Sequence, residues 1–106
     1  MFLSWIYLII AILFEVSGTT CMKLSEGFTK IVPSVLIFVC YGFCFTFLTI
    51  ALKRLEVSVA YSVWAGLGTI LIAIIGIIWF RESATFIKLL SIALIIIGVI
   101  GINANQ

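Results

Sequence analysis

Four long runs with almost no charge divide this chain, and they constrain its fold more than any motif does. The runs cover residues 2–22, 31–52, 57–80 and 89–106. A hydrocarbon core about 30 Å thick is crossed by about 20 helical residues at 1.5 Å each, and each run is close to that length. Barrel strands would instead alternate polar and apolar residues over segments of about ten. We therefore predict an all-α membrane protein with four transmembrane helices.

The charged side chains separate these runs. Charged residues make up 9% of the 106 residues and hydrophobic residues 65%, whereas a soluble domain carries roughly a quarter charged residues. Nine of the charged residues form three short clusters, which are Lys23, Glu26 and Lys30, then Lys53, Arg54 and Glu56, then Arg81, Glu82 and Lys88. The remaining charge is Glu15. The basic residues form no run, so the sequence gives nucleic-acid binding no support.

Residues that favour helix ends lie between the runs or close to the start of a run. Gly27 is a natural place for the chain to leave the first helix, Pro33 suits the first turn of the second, and Ser83 is a candidate cap for the fourth. We predict helices at about residues 3–22, 33–52, 57–80 and 85–103. The short connections predict a single domain, residues 1–106. The first run lacks a basic segment before its apolar stretch, so we expect a mature helix rather than a signal peptide.

The basic residues give only a weak preference for one orientation in the membrane. With four spans, the first and third loops carry four of them, and the second loop carries Lys53 and Arg54. By the positive-inside rule this bias leans towards both termini outside, but it is compatible with insertion in both orientations. Four short spans enclose little more than their own side chains, so we expect an oligomer.

Glu15 lies in the middle of the first run and is a candidate functional site. A charge near the bilayer centre costs about 3 kcal/mol on insertion scales, and no span carries a lysine or arginine at that depth to offset the cost. Burial disfavours the ionised form, so we expect the carboxyl group to hold a proton until a cation arrives. The same helix stripe carries a small and mostly apolar set of residues: Leu8, Ala11, Ile12, Gly18, Thr19 and Met22.

Aromatic residues on other helices indicate which cation suits this carboxylate. Tyr61 and Trp64 are three residues apart in the third run, and Tyr41 lies in the second. Aromatic faces beside a carboxylate favour a bulky organic cation. Anchoring at the membrane interface is the alternative for aromatic residues and suits Trp5, near the start of a span.

The sequence predicts neither a metal site nor a cofactor. The stripe around Glu15 offers almost no further oxygen ligands, and the chain has no histidine. Cys21, Cys40 and Cys44 lack metal-site spacing, so we interpret them as packing residues.

Glycines and small residues in the last two runs indicate either packing or bending. Gly66 and Gly68 either permit close helix contact or form a bend in the third helix, and the sequence leaves both open. Ser91 and Gly98 are seven residues apart on one stripe of the fourth helix, which favours helix contact within or between subunits.

The whole chain resembles the small multidrug resistance family of bacterial transporters. The resemblance is carried by "AILFEVSGTTCMKLSEGFTK" in the first span, "PSV" opening the second and "AYSVWAGLG" in the third. It implies an antiparallel, dual-topology homodimer in the inner membrane that exchanges protons for lipophilic and quaternary ammonium cations. Such a protein is a multi-pass antiporter and not an enzyme. Two oppositely inserted copies would supply the inverted repeat that four spans lack.

The resemblance also implies roles for individual residues. Glu15 matches the shared proton and substrate site, and Gly66 and Gly68 match a helix bend. Ser91 and Gly98 fall on the helix that forms the family's dimer, although relatives often have glycine where this chain has Ser91. The residues that match the lining of the substrate pocket are Trp64, Tyr61, Tyr41, Trp5, Leu8, Ala11, Ile12, Gly18 and Thr19. Trp5 stands where relatives often carry tyrosine, so a hydroxyl contact there is not expected.

Gly18 separates two branches of the family. Relatives that resemble guanidinium exporters tend to have tryptophan three residues after the glutamate, and Gly18 should leave room there for larger drugs. Guanidinium export on the same fold remains the first alternative, and a paralogue heterodimer is also open. A proton-conducting subunit or a structural membrane subunit is the alternative of another class. The sequence gives neither the substrate range nor the number of protons exchanged.

Overall fold

A computed structural model describes residues 2–104, which form four α-helices. They are α1 (Phe2–Leu24), α2 (Ile31–Ala51), α3 (Val57–Ile78) and α4 (Phe86–Ala104). Each helix has the length and hydropathy needed to cross a membrane, and the described part of the chain contains no strand. The prediction of an all-α membrane protein with four spans is confirmed, with helix ends within about two residues of those predicted.

The turn after α1 is organised by Ser25. Its hydroxyl donates to the Met22 carbonyl at 2.8 Å and accepts the Phe28 N–H at 3.2 Å. Gly27 has a φ of +73° and stands between Glu26 (φ 49°) and Phe28 (φ 68°), so three successive residues are left-handed. The prediction that the chain turns at Gly27 is confirmed, although the two neighbours adopt this conformation without being glycine.

The start of α2 differs slightly from the prediction. The helix begins at Ile31 after an extended Lys30, and Lys30 has no side-chain capping hydrogen bond. Pro33 therefore lies in the first turn, as predicted, although the helix begins two residues before it. First-turn N–H groups have no acceptor within the helix, so the ring of Pro33 breaks no bond there.

The predicted cap of α4 is wrong. Thr85, not Ser83, precedes the helix, and its Oγ1 accepts the Lys88 N–H at 3.1 Å. Residues 81–85 are not helical, so Ser83 lies too early in the chain to cap α4. A threonine whose oxygen bonds the third helical N–H is a favourable cap.

Ser83 does not cap α4 because the chain first turns back along α3. The Glu82 N–H donates to the Gly76 carbonyl at 2.9 Å, and Arg81 takes a left-handed φ of 57° to make that turn. A Cβ on Gly76 would lie 2.6 Å from Oε1 of Glu82, so any other residue there would push the flexible end of this side chain aside. Lys88 of α4 lies 3.8 Å from the same oxygen.

The helices form two units, residues 1–55 and residues 56–106. In the first unit α1 and α2 pack as a helical hairpin along much of their length. Stacked rings join them, with centroids 5.8 Å apart for Tyr7 and Phe47 and 5.2 Å apart for Phe14 and Phe43. In the second unit α3 packs against α4. The single domain stays a prediction.

Candidate functional site

Glu15 lies near the middle of α1 and is partly buried. Thr19, one turn later on the same helix face, donates its hydroxyl hydrogen to Oε1 of Glu15 at 3.0 Å. The four-residue spacing on a helix makes this contact possible. The carboxylate therefore has a fixed hydrogen-bond donor at mid-span.

Tyr41 extends this hydrogen bond to α2. Its phenol oxygen lies 2.6 Å from the Thr19 hydroxyl. A threonine hydroxyl has one hydrogen, so when Thr19 gives it to an ionised Glu15 the hydrogen between the two hydroxyls comes from Tyr41. Met22 offers a competing acceptor, but its sulfur is 3.9 Å away. The arrangement is a directed chain from Tyr41 through Thr19 to Glu15.

Gly18 provides the space in which Tyr41 lies. A Cβ at Gly18 would be 3.0 Å from Cε2 and 3.1 Å from Cδ2 of the tyrosine ring. Room for a drug beside Gly18 stays a prediction, and in this structure the ring of Tyr41 lies in the space that Gly18 leaves. The sequence did not reveal this, since it does not state which α2 residue faces Gly18.

The other predicted pocket residues on α1 differ in exposure. Leu8, Ala11 and Ile12 are almost fully buried, so in this structure they pack against other side chains rather than lining an open pocket. Trp5 is half-buried and Met22 is exposed. Their roles around a substrate stay predictions.

Tyr61 and Trp64 form an aromatic pair on α3, in the second unit. Their ring centroids are 5.4 Å apart with an interplanar angle of 61°, an edge-to-face contact. Tyr61 is 59% exposed, whereas Trp64 is half-buried. The structure confirms that the two residues share one helix face, and their contact with substrate stays a prediction.

Gly66 on α3 permits close packing against α4 in this structure. A Cβ at Gly66 would lie 2.6 Å from Cγ2 of Val99 and 3.3 Å from Cγ2 of Ile95, both on α4. Gly66 and Gly68 are buried, and α3 runs through them as one continuous helix. The packing interpretation of Gly66 is thereby supported, and the bend stays a prediction.

The predicted dimer residues lie on a part of α4 that remains exposed. None of the α4 residues is buried, Ser91 is exposed, and a Cβ added at Gly98 would meet nothing within 4 Å. Within residues 2–104 of a single chain, the stripe with Ser91 and Gly98 is therefore left open for contact.

Comparison with known sequences shows the family. The sequence model described as Small Multidrug Resistance protein matches residues 3–95. This chain belongs to the small multidrug resistance family. The resemblance noted from the sequence motifs is confirmed.

Individual members of the small multidrug resistance family match almost the whole chain. The uncharacterized membrane protein YvaE of Bacillus subtilis (strain 168) is 50% identical over 101 residues, which cover 95% of this chain and 85% of that protein. The quaternary ammonium compound-resistance protein QacC of Staphylococcus aureus is 44% identical, with 95% and 94% covered.

The multidrug resistance protein EbrA of Bacillus licheniformis (strain ATCC 14580) is 38% identical over 105 residues, covering 99% and 100%. Together with four helices fit to cross a membrane, these relatives confirm a multi-pass bacterial membrane protein.

Proposed function

We propose that this chain is a proton-coupled exporter of lipophilic and quaternary ammonium cations. The observation that carries the proposal is the placement of Glu15, a carboxylate at mid-span with a fixed hydroxyl donor. No lysine or arginine among residues 2–104 forms an ion pair with it. An intramembrane carboxylate with no cationic partner has two ways to become neutral, which are to take a proton or to take a cation. The two therefore compete for one site.

The surroundings of Glu15 favour an organic cation over a metal ion. The polar groups linked to it are the hydroxyls of Thr19 and Tyr41, and no three metal-ligating side chains come together within residues 2–104. Aromatic side chains attract cations whose charge is spread over a large apolar surface. Relatives named for quaternary ammonium resistance and multidrug resistance support this substrate class.

The export proposal includes a homodimer of oppositely inserted copies. Alternating access commonly uses two inverted repeats, and the four spans of one chain supply one such unit. The uncovered stripe with Ser91 and Gly98 on α4 supports a helix contact between copies, because small residues let helices approach closely. Each copy would then contribute its Glu15, Tyr41, Tyr61 and Trp64 to the shared pathway.

Guanidinium export is the second candidate on this fold. Gly18 distinguishes the two candidates, because a tryptophan there would take the space in which Tyr41 now packs. The glycine keeps Tyr41 beside Thr19, and we take this arrangement as the drug-exporter form of the site.

Transport by proteoliposomes tests the proposal. Purified protein with Glu15→Gln should lose proton-driven uptake of a quaternary ammonium cation to the level of empty vesicles, because glutamine can hold neither the proton nor the charge. The matched control is Glu26→Gln in the exposed turn, which should transport normally. Retained uptake in Glu15→Gln overturns the proposal, and faster uptake of guanidinium than of the quaternary cation by the unaltered protein favours the second candidate.

A further inference from the structure

A half-open cavity of about 300 Å³ lies where the start of α1 meets the end of α2. It is far along both helices from Thr19 and Tyr41, and it belongs to the first unit alone. The lining combines two hydroxyl side chains, two cationic side chains and two aliphatic side chains: Ser4, Tyr7, Lys53, Arg54, Leu3 and Ile50. No role in cation export follows from this set, because two positive charges repel a cationic substrate.

The two cations of the cavity have no described anionic partner. The ion pairs formed within residues 2–104 join Lys30 to Glu26 and Lys88 to Glu82, so neither Lys53 nor Arg54 is neutralised by a carboxylate there. Both are exposed. Cationic side chains that converge on a cavity without a counter-charge favour an anionic ligand.

The backbone around the cavity is also more favourable to an anion than to a cation. The first N–H groups of α1 have no acceptor in a preceding helical turn and form its positive end. The carbonyl oxygens that end α2 already accept hydrogen bonds, since those of Leu48, Ile50 and Ala51 receive the N–H groups of residues 52–55. The partial negative charge at the end of α2 is therefore partly offset by these hydrogen bonds from the turn.

We propose that this cavity binds the phosphodiester group of an anionic phospholipid. The planar guanidinium of Arg54 matches two phosphate oxygens at once, and Lys53 adds a second positive charge. The hydroxyls of Ser4 and Tyr7 donate hydrogen bonds to the remaining oxygens or to a glycerol head group. The volume of about 300 Å³ is within the range of small-ligand pockets.

The position of the cavity favours a lipid over a soluble phosphate. Both α1 and α2 are long enough to cross the membrane, so their adjoining ends lie at the level of the head groups. Leu3 and Ile50 give the cavity an apolar side, which suits the start of an acyl chain. Basic pockets between transmembrane helices bind anionic head groups by this combination. The proposal is independent of proton-coupled export.

Native mass spectrometry of delipidated protein in detergent tests the site. Phosphatidylglycerol is titrated against phosphatidylcholine with the same acyl chains, and the first adduct per subunit is counted. The double variant with Lys53→Gln and Arg54→Gln should bind phosphatidylglycerol at least about fivefold more weakly, since each basic residue near an anionic membrane surface contributes about that factor. Its binding of phosphatidylcholine should not change.

The control variant removes one lysine charge and one arginine charge outside the cavity. Lys23→Gln together with Arg81→Gln also deletes one exposed lysine and one exposed arginine, neither of which lines the cavity. It should keep the phosphatidylglycerol preference of the unaltered protein. An equal loss in both double variants, or no loss in the first, overturns the proposal. Displacement of the lipid by an excess of glycerol 3-phosphate overturns it in favour of a soluble phosphate site.

Discussion

The ring of Tyr41 on α2 lies directly against Gly18 on α1, so close that a Cβ at residue 18 would be only 3.0 Å from the ring. The phenol group of the same ring is bound to Thr19 at 2.6 Å. The glycine and the hydrogen bond together fix the position of the tyrosine beside the carboxylate.

Gly18→Val should destabilise the α1–α2 hairpin. The added methyl groups meet a ring that is held in place, and overpacking of this kind costs about 1–3 kcal/mol. Thermal unfolding in detergent measures the effect. Gly42→Val on α2 is the control, because a Cβ there meets nothing within 4 Å. Equal melting temperatures for the two variants would contradict the packing role of Gly18.

Removal of the hydroxyl chain should weaken cation binding. The chain donates a hydrogen bond to Oε1 of Glu15 and so helps to hold the carboxylate in place. Tyr41→Phe and Thr19→Val each remove part of that chain, so we expect weaker binding of a quaternary ammonium cation by the purified protein at a single pH. A net hydrogen-bond contribution of about 1 kcal/mol corresponds to roughly a fivefold change in affinity.

Ser17→Ala is the control for these two variants. The Ser17 hydroxyl donates to the Leu13 carbonyl at 2.8 Å and is exposed, so its loss removes a hydroxyl from α1 without touching Glu15. Its affinity for the cation should equal that of the unaltered protein. Unchanged affinity in both Tyr41→Phe and Thr19→Val would contradict the role assigned to the chain.

Cation binding should release protons. Competition for Glu15 means that a bound cation replaces a proton, so affinity falls about tenfold for each unit by which pH decreases once the carboxyl group is protonated. Isothermal titration calorimetry in two buffers with different ionisation enthalpies gives the number released. A heat of binding that is the same in both buffers, at a pH where the affinity is falling, would refute the shared site.

Gly76→Ala should displace the carboxylate of Glu82 at little cost. The new Cβ would lie 2.6 Å from Oε1 of Glu82, but that atom is the end of an exposed, flexible side chain that can swing away from Lys88. The lost surface ion pair contributes about 0–1 kcal/mol, and alanine favours a helix over glycine by a similar amount, so we expect the free energy of unfolding in detergent to change by less than about 1 kcal/mol. Glu82→Gln, which removes the same ion pair without adding a Cβ, is the control. A loss much larger than about 1 kcal/mol in Gly76→Ala alone would show that the Glu82 side chain is held rigidly in place.

The sequence predicts features that depend on one helix and misses those that depend on two. The spans follow from run length and hydropathy, and the Glu15 to Thr19 contact follows from a four-residue spacing. The packing of Tyr41 against Gly18 depends on the register between α1 and α2, which no local pattern encodes. Ser83 failed as a cap for a similar reason, because the chain first returns to Gly76 and the sequence gives no local sign of that turn.

Because Thr19 has a single hydroxyl hydrogen, the infrared bands of Tyr41 should report on the state of Glu15. A protonated Glu15 is a weaker acceptor for the Thr19 hydroxyl. If that hydroxyl reorients, the acceptor that it offers to the Tyr41 phenol changes as well. The vibrational bands of the Tyr41 phenol then carry a signature of what occupies a carboxylate on the neighbouring helix. Infrared difference spectra with isotope-labelled tyrosine would read the occupancy of the site without a dye or a bound drug.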